Sequence, residues 1–447
     1  MPVSLALFTR DLRVHDNAML TAAATAGEVL PLFVVSRTDF AGPNRAAFLT
    51  GCLRDLARGL ADRGGALVIR YGDPAAVVAN LVREHDITRV HVSADASAYA
   101  HRRERALREA VGDRLVVHDD VVPAVAPTGP FEPVFTPFFQ RWNEVPPRTP
   151  LPAPGGLRLP SVDPGELPSA ETFSRGIPAP GLPPGGERHG RALLDFWART
   201  GVHRYPEDRD DLARQGSSHL SAHLHFGSLS AAETRHTVGA HAGQFVRQLA
   251  WRDFYLRVLA ARPDAAWQDY RDRGDRWRHA PADLLAWQRG RTGYPVVDAA
   301  MRQLTTEGWL PNRARLLAAS FLCKTLYLDW QPGAAFFLHH LVDGDLASNQ
   351  LNWQWVAGTG TDTRPGRVFD PVWHGEQHDP DGAYVHRYVP ELRSVPGPLV
   401  HRPWELDASV RSGLDYPGPV VGLEEGYARF VSARRKHKQG RQQKRRR

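Results

Sequence analysis

Five short apolar runs, alternating with segments of helical periodicity, constrain the fold of the first 128 residues more than any other feature of the sequence. This alternation is typical of a parallel α/β domain. The predicted strands are Val3–Phe8, Val29–Val35, Ala66–Arg70, Arg89–Ser93 and Arg114–His118, with helices predicted over Asn44–Arg63 and Pro74–His85. We therefore expect residues 1–128 to form a doubly wound, Rossmann-like domain with a parallel sheet. The first strand-to-helix turn, TRDLRVHDN, lacks GxGxxG, which disfavours an ordinary NAD site.

A proline-rich segment separates this domain from the rest of the chain. Fifteen of the 36 prolines lie between Gly129 and Pro184, so we predict an irregular connector over residues 129–186. Residues 187–432 are dense in helix formers and are predicted to form an all-helical domain. Its helices are expected near Glu187–Gly201, Gln244–Ala261, Val296–Glu307 and Arg313–Leu328.

The positive charge is concentrated in two places. The chain has 56 Lys and Arg against 49 Asp and Glu, and nine of these basic residues lie in Arg434–Arg447 without any acid. We expect residues 433–447 to be a disordered basic tail. The second concentration, Arg247–Arg315, holds thirteen arginines against eight acids and is interleaved with tryptophans, a pattern that favours nucleic acid over a membrane surface.

Other sequence features exclude whole classes of protein. No apolar run approaches the roughly 18 residues of a membrane helix. The N-terminus has no signal-peptide pattern, so we expect a cytoplasmic protein that binds no membrane. We also expect the protein to be monomeric and nucleoid-associated. Cys52 and Cys323 lack metal-site or disulfide spacing, and we expect both to be core thiols.

Four segments of the helical half carry candidate binding chemistry. Clustered hydroxyls in Ser217–Ser221 suit phosphate oxygens, although an N-cap with ordinary surface serines is the favoured interpretation of this segment taken alone. Gln248, Trp251, Arg252 and Tyr255 share one helix face, for which a buried aromatic face is the alternative.

The other two segments follow later in the chain. Asn312, Arg313 and Arg315 stand at a helix start, which indicates an anionic ligand or an arginine–carboxylate pair. The run from Asp343 to Trp355 begins like a calcium loop but lacks its glycine and closing glutamate, so we expect no metal there. Nine of the twelve tryptophans lie between residues 251 and 373, which favours a planar aromatic ligand.

Taken together, these segments resemble the photolyase/cryptochrome family, and within it the bacterial cyclobutane pyrimidine dimer photolyases. The resemblance rests on FTRDLRVHDNAML, WRDFY, GYPVVDAAMRQL, DGDLASN and NWQW in this order, and runs from Leu7 to about Pro403. It implies an FAD-binding helical domain, damaged DNA as partner, and light-driven repair by electron transfer from excited reduced FAD to a flipped-out dimer.

The resemblance also implies roles for individual residues. FAD is expected to be held by Tyr205, Ser217, Ser218, His219, Leu220, Ser221, Arg315, Asp343, Gly344, Asp345 and Asn349. Contacts with the lesion or the DNA backbone are expected from Arg209, Gln248, Trp251, Arg252, Tyr255, Asn312, Arg313 and Trp355. Trp353, Trp330 and Trp277 match the family's electron-transfer chain, and Asn349 is expected to face flavin N5.

Departures from the family pattern leave alternatives open. His219 stands where the motif usually has arginine, and Gln248 where dimer photolyases usually have glutamate. The histidines of (6-4) photolyases are replaced by Asn312 and Leu316, which disfavours that substrate. A cryptochrome-type blue-light photoreceptor and a nucleic-acid-binding protein with a vestigial flavin site are the remaining alternatives.

An antenna pigment is a further expectation from the resemblance. The segment Asn44–Leu53 is more similar to the forms that bind 8-hydroxy-5-deazaflavin than to those that bind methenyltetrahydrofolate. An empty antenna site is the alternative.

Overall fold

Five parallel strands form one sheet in the N-terminal half. The computed structural model describes residues 1–25, 27–36, 42–126, 129–214, 216–239 and 242–445, with side chains described up to Arg434. The strand order is β3-β2-β1-β4-β5. The strands are β1 Val3–Leu7, β2 Glu28–Val35, β3 Val68–Tyr71, β4 Ile87–Ser93 and β5 Leu115–His118. All neighbouring pairs are parallel, which confirms the predicted doubly wound sheet.

The two faces of the sheet are covered by different helices because alternate strand residues point to opposite sides. Leu5 and Leu7 belong to a core with Val78 and Leu107, whereas Ala6 and Phe8 pack into a second core with Phe48. The helices of this half are α1 Ala18–Thr25, α2 Pro43–Ala61, α3 Pro74–Glu84 and α4 Ala98–Val111. Strands buried on both faces explain the nearly continuous apolar runs of the sequence.

Helices dominate the remainder of the chain, as predicted. They are α5 Phe135–Glu144, α6 Ala170–Phe173, α7 Glu187–Thr200, α8 Tyr205–Asp208, α9 Ser221–Phe226, α10 Ala231–Val238, α11 Gly243–Ala261, α12 Pro281–Gln288, α13 Pro295–Glu307, α14 Asn312–Ser320, α15 Trp330–His340, α16 Leu346–Ala357, α17 Pro371–His378, α18 Ala383–Tyr388, α19 Ala408–Ser412 and α20 Leu423–Arg445. The predicted helix over Arg313–Leu328 is wrong in part, because α14 ends at Ser320 and continues as a π-helix over Phe321–Thr325.

The connector is not irregular throughout, which corrects the prediction for residues 129–186. Helix α5 lies within it and buries Phe135, Phe138 and Trp142 on one face. The spacing of these aromatic residues is helical and places them against α11, so tertiary packing outweighs the local proline content. The predicted boundary at residue 128 falls in a gap of the described residues.

The C-terminal tail also differs from the expectation of disorder over residues 433–447. Helix α20 runs from Leu423 to Arg445, and the last two residues lie outside the described part. The helix is attached at its start, where Phe430 is buried and Arg434 donates to the Ala357 carbonyl at 2.8 Å. Lys, Arg and Gln are good helix formers, so a helix begun by packing continues through them.

Cys52 and Cys323 are buried free thiols, which confirms their prediction as core residues. Burial raises the pKa of the Cys52 thiol to about 12. Among the described residues, no helix has the length and apolar character required to cross a bilayer.

Candidate functional site

A cleft of about 460 Å³ in the helical half gathers most of the residues singled out from the sequence. It is lined by residues from several helices, with the loop before α9 and the loop between α15 and α16 completing it. The predicted residues that line it are Tyr205, Ser217, Ser218, His219, Leu220, Ser221, Gln248, Trp251, Arg252, Tyr255, Asn312, Arg315, Asp343, Gly344, Asp345, Asn349, Trp353 and Trp355.

Two carboxylates of the loop Asp343–Asp345 stand at the buried part of this cleft. Arg315 donates to Asp343 Oδ2 at 2.8 Å, while Asp343 Oδ1 is buried without a hydrogen-bond partner among the described residues. Arg45 donates to the Gly344 carbonyl at 3.0 Å and so ties this loop to α2. A buried, unpaired carboxylate oxygen requires a donor, which a polar ligand in the cleft can supply.

Asp345 links the cleft to the sheet domain. Its Oδ2 accepts a hydrogen bond from Arg10 Nη2 at 2.6 Å, and its Oδ1 caps α16 by accepting from the Ser348 amide at 2.7 Å. Arg10 follows β1 and also pairs with Asp95, which follows β4, at 3.0 Å. Burial would raise the pKa of Asp345, but the Arg10 charge and hydrogen bonds from His225 and Ser348 hold it well below its usual range.

This ion pair sits at the topological switch point of the sheet, between β1 and β4. Ligands and functional groups of open α/β sheets collect at such points, outside the carboxyl ends of the strands. The sequence motif TRDLRVHDN therefore has a structural role at the domain junction. Arg13 of that motif donates to the Gly227 and Val121 carbonyls at 3.0 and 2.9 Å.

Asn349 presents an acceptor to the cleft. Its Nδ2 donates to the Ala334 carbonyl at 3.1 Å and to Gln350 Oε1 at 2.9 Å, so both amide hydrogens are engaged. Oδ1 is then the atom of this amide that can bond to a ligand. An acceptor here suits a ring nitrogen that carries a proton.

The segment before α9 supplies polar atoms to the other side of the cleft. Ser217 Oγ and His219 Nε2 are buried without a hydrogen-bond partner in the described part of the chain. His219 has a left-handed φ of 52° and its ring lies 4.1 Å from that of Trp309. Burial lowers the pKa of His219, so its imidazole is neutral near pH 7 and offers hydrogen bonds rather than the fixed charge of an arginine.

Aromatic side chains form a second group in the cleft. Trp251 stacks face to face on Phe135 with ring centroids 3.5 Å apart, and Tyr255 lies 5.4 Å away on the same helix. The Tyr255 hydroxyl donates to Asn352 Oδ1 at 3.1 Å. Trp355 is half-buried, with the Arg367 guanidinium 5.8 Å from its ring centroid. Gln248 is half-buried, and its Nε2 lies 3.5 Å from the Gln244 carbonyl.

Three arginines expected at the DNA surface have other contacts in the structure. Arg252 lines the cleft, but its guanidinium donates to the Val122 and Leu224 carbonyls at 2.8 and 3.1 Å. Arg209 and Arg313 do not line the cleft; both pair with Asp210, at 3.8 and 2.8 Å. The DNA contacts of Arg209 and Arg313 remain predictions. The Arg252 guanidinium is hydrogen-bonded to the backbone at the junction between the two halves of the chain.

The predicted tryptophan chain spans from the cleft to the edge of one hydrophobic core. Trp353 lines the cleft, Trp330 is fully buried, and Trp277 is half-buried against the same core. Trp330 Nε1 donates to Asp269 at 2.8 Å. Trp287, which the sequence did not single out, lies 6.0 Å from Trp353 by ring centroids.

Several residues in or behind the cleft wall were given no site role in the sequence analysis. They are His225, Phe245, Trp309, Phe337, Ser348 and Asn352, together with Phe135 and Arg10 behind the wall. Phe245 and Asn352 each lie three residues from a predicted residue of the same helix, Gln248 and Asn349 respectively, which is a usable signal. Phe135 and Arg10 reach the site only through long-range contacts.

Comparisons with known proteins identify the family. Residues 4–155 match the model for DNA photolyase, and residues 245–436 match that for the FAD binding domain of DNA photolyase. Deoxyribodipyrimidine photo-lyase of Streptomyces griseus is 52% identical over 97% of this chain and 99% of its own. The chain belongs to the DNA photolyase family.

Other photolyase relatives agree in sequence and in fold. The Escherichia coli deoxyribodipyrimidine photo-lyase is 34% identical, over 97% of this chain and 98% of its own. A bacterial class III photolyase from Agrobacterium tumefaciens superposes with a TM-score of 0.90 at 30% identity, covering 98% of both chains. An archaeal photolyase from Sulfolobus tokodaii gives 0.86 at 29% identity, covering 98% of this chain and 100% of its own.

The cleft fits the FAD that a photolyase domain binds. Ser217 Oγ, His219 Nε2 and Asp343 Oδ1 are buried polar atoms that lack partners among the described residues. Such atoms are costly unless a ligand satisfies them. Hydroxyl and imidazole groups suit phosphate or ribityl oxygens, and the Asp343 carboxylate suits hydroxyl donors.

Proposed function

We propose that this photolyase repairs cyclobutane pyrimidine dimers in DNA under blue or near-ultraviolet light. The observation that carries the proposal is the combination, in one cleft, of a buried polar group suited to FAD and a half-buried aromatic group suited to a base. The polar group contains Asp343 and Asn349, and the aromatic group contains Trp251 and Trp355.

Residues from several segments of the chain would position FAD and the lesion. Tyr205, the residues Ser217 to Ser221, Arg315 and the loop Asp343–Asp345 would hold FAD, and Asn349 Oδ1 would accept a hydrogen bond from a protonated ring nitrogen. When bound and reduced, FAD supplies the excited-state electron that opens the dimer. Trp251 and Trp355 would stack on a flipped-out pyrimidine pair, each contact being worth about 1–3 kcal/mol.

Gln248 and Asn312 support pyrimidine recognition without an acid. Both line the cleft, and their amides can donate to and accept from the edge of a base. Two histidines, His219 and His225, also line it, but burial lowers the pKa of each. Neither is protonated near pH 7, so an imidazolium acid for (6-4) repair has no support.

The decisive experiment combines three substrates with one enzyme preparation. Fully reduced, FAD-loaded protein is illuminated with oligonucleotides that carry a cyclobutane dimer, a (6-4) product or no lesion, with dark samples as controls. We expect light-dependent loss of the cyclobutane dimer alone. Absence of dimer loss would overturn the proposal, and FAD photoreduction without repair would favour a cryptochrome-type photoreceptor.

We also propose an antenna pigment, 8-hydroxy-5-deazaflavin, for the sheet domain. The archaeal photolyase from Sulfolobus tokodaii contains two FAD molecules, with the implication of a novel light-harvesting cofactor, which supports an antenna in this chain as well. A second cavity of about 200 Å³ lies beyond the ends of β4 and β5, lined by Asp95, Asp119 and Trp142 among others. Asn44 and Arg45 do not line it.

The identity of the pigment is open to a direct test. Protein isolated from its native host is extracted, and the extract is analysed by absorbance and mass spectrometry. A deazaflavin is the expected result, whereas a folate or no second pigment would contradict the choice.

A further inference from the structure

Lys324 is a lysine whose side chain is enclosed by the protein. It is only 2% exposed and belongs to the π-helix Phe321–Thr325, a rare element that is frequent at functional sites. Burial lowers the pKa of Lys324 to about 8, so the amine is still mostly protonated near pH 7. A buried ammonium group costs free energy unless hydrogen bonds compensate for the lost water. The groups that accept these hydrogen bonds therefore indicate what the lysine does.

The ammonium group donates hydrogen bonds to two carbonyls of one loop. This loop joins α16 to α17, and Lys324 Nζ donates to its Pro365 carbonyl at 3.2 Å and to its Arg367 carbonyl. The two acceptors lie on either side of Gly366, so one charge fixes both sides of a turn. Hydrogen bonds from a charged donor are stronger than those between neutral groups. Lys324 thus ties the middle of the loop to the π-helix behind it.

The two ends of the same loop have other attachments. Near its start, the Arg271 amide donates to the Thr359 carbonyl at 2.7 Å. Near its end, the Phe369 amide donates to Ser320 Oγ at 3.0 Å. These contacts do not involve the ammonium group of Lys324. Its removal should therefore free the middle of the loop and leave both ends in place.

The middle of the loop lies beside an aromatic residue of the cleft. Arg367 is exposed, and its guanidinium lies 5.8 Å from the ring centroid of Trp355, which lines the cleft. A cation at this distance from an aromatic face is attracted to it. The position of the guanidinium depends on the backbone of Arg367, and the carbonyl of that backbone is one of the two groups that Lys324 holds.

We propose that Lys324 is a positioning residue for lesion binding, which keeps the Arg367 guanidinium over Trp355. The inference rests on the proposed function, in which Trp355 stacks on a flipped-out pyrimidine. A loop that is already fixed in the free protein loses less conformational entropy when DNA binds. The guanidinium is then held beside the cleft, where it can contact a DNA phosphate. Lys324 is too deeply buried to touch DNA, so it acts through the loop.

Limited proteolysis of the FAD-loaded, full-length protein tests the attachment of the loop without DNA. Trypsin cleaves after Arg367 but not after Arg364, because Pro365 follows Arg364. The carbonyl of the cleaved bond is one that Lys324 holds, and cleavage requires the loop to open locally. Lys324→Met keeps the length of the side chain but has no ammonium group. We expect the peptide that begins at Val368 to appear roughly tenfold faster or more in this variant, as measured by mass spectrometry.

Titrations with duplex DNA test the role in lesion binding. We expect Lys324→Met to weaken binding of dimer-containing duplex by about 2- to 30-fold, which corresponds to one cation–π contact, and to affect undamaged duplex less. Arg367→Ala changes an exposed residue and should cause a loss of the same size. In the double variant the two losses should not add, because Lys324 acts through Arg367.

Arg235→Met is the matched control for the loss of a buried cation. Arg235 is 4% exposed, donates to the Val145 carbonyl at 2.6 Å and lies over the ring of Trp142. Its replacement should leave cleavage after Arg367 and lesion binding unchanged. Replacement of a buried charge by an apolar side chain of similar volume is often neutral for stability, so we expect Lys324→Met to fold. FAD absorbance and urea titrations verify this for both variants.

The outcomes separate this inference from the proposed function. Cleavage after Arg367 that is no faster in Lys324→Met than in the wild type would show that the lysine does not hold the loop. Additive losses in the double variant, or unchanged lesion binding in Arg367→Ala, would refute the action through Arg367. In these cases a wild type that prefers damaged duplex leaves the proposed function intact. Equal affinity of the wild type for damaged and undamaged duplex would refute the proposed function and the lesion role of Lys324 together.

Discussion

Replacing Arg10 by alanine tests how strongly the sheet domain supports the flavin cleft. Arg10 lies between two carboxylates, Asp345 at 2.6 Å and Asp95 at 3.0 Å, whose side chains are 10% and 8% exposed. At an effective dielectric constant of about 20, one contact at this distance is worth about 6 kcal/mol before desolvation is subtracted. Measured losses for removal of one partner from a buried pair are about 3–5 kcal/mol, which is the loss expected here.

Tryptophan fluorescence provides a suitable assay because no tryptophan occurs before Trp142. The reporter therefore lies outside the sheet domain, whereas the altered residue lies within it. We expect Arg10→Ala to lower the free energy of unfolding of the helical half by about 3–5 kcal/mol in urea titrations. FAD affinity should fall as well, since the Asp345 cap of α16 loses its partner.

The control is Arg108→Ala, which removes an exposed pair with Glu104 at 3.2 Å. Such a pair contributes about 0.2–0.5 kcal/mol. If Arg10→Ala and Arg108→Ala shift the fluorescence transition equally, the argument from the buried pair is refuted. A double-mutant cycle with Asp345→Asn should give a coupling of more than about 1 kcal/mol.

The difference in the free energy of unfolding between wild type and Arg10→Ala should depend on pH because of Asp345. The pKa of Asp345 in the folded protein is below the unfolded value of about 4. Its contribution to the free energy of unfolding is therefore present above pH 4 and is lost as the pH falls through the folded pKa. A protonated Asp345 no longer requires Arg10. The difference in stability between wild type and Arg10→Ala should therefore narrow on acidification, and a constant difference would contradict the assignment.

Three other predictions concern the tryptophan chain, lesion binding and the basic tail. Trp353→Phe should block photoreduction of oxidised FAD yet spare repair by chemically reduced enzyme, while Trp404→Phe, outside the chain, should affect neither. Trp355→Ala should weaken binding of dimer-containing DNA by about 1–3 kcal/mol in a titration, whereas the exposed Trp373→Ala should not. Deleting residues 435–447, which spares Arg434, should weaken binding to damaged and undamaged duplex by similar factors and flatten its salt dependence; superimposable binding curves would contradict this.

The sheet and most helices could be predicted because their signals are local. The strand predicted over Val29–Val35 spans Glu28–Val35 in the structure. The helix after Asp73 begins at Pro74, as the Asp-Pro pair indicates. The site residues could be predicted because their motifs keep a fixed order along the chain. A helix such as α16 then brings Asn349 and Trp353, which are four residues apart, to one cleft by its periodicity.

Contacts between distant segments could not be predicted in this way. Arg10 and Asp345 are 335 positions apart, and nothing in the periodicity near either residue indicates the other. Phe135 stood in a segment that its prolines marked as irregular, yet it covers one face of Trp251. In each case the free energy that stabilises the contact comes from burial against a partner that only the folded chain supplies.

The tail illustrates why composition alone was a poor guide to structure. Residues 433–447 have no apolar pattern, but the helix that enters them begins at Leu423 and is anchored by Phe430, which lies against Lys324 and Tyr327. Arg434 continues this anchor by pairing with Asp275. Arg434, near the start of the tail, therefore belongs to the packed part of the helix, so a truncation that removes it would disturb this packing and confuse an effect on DNA binding with one on stability.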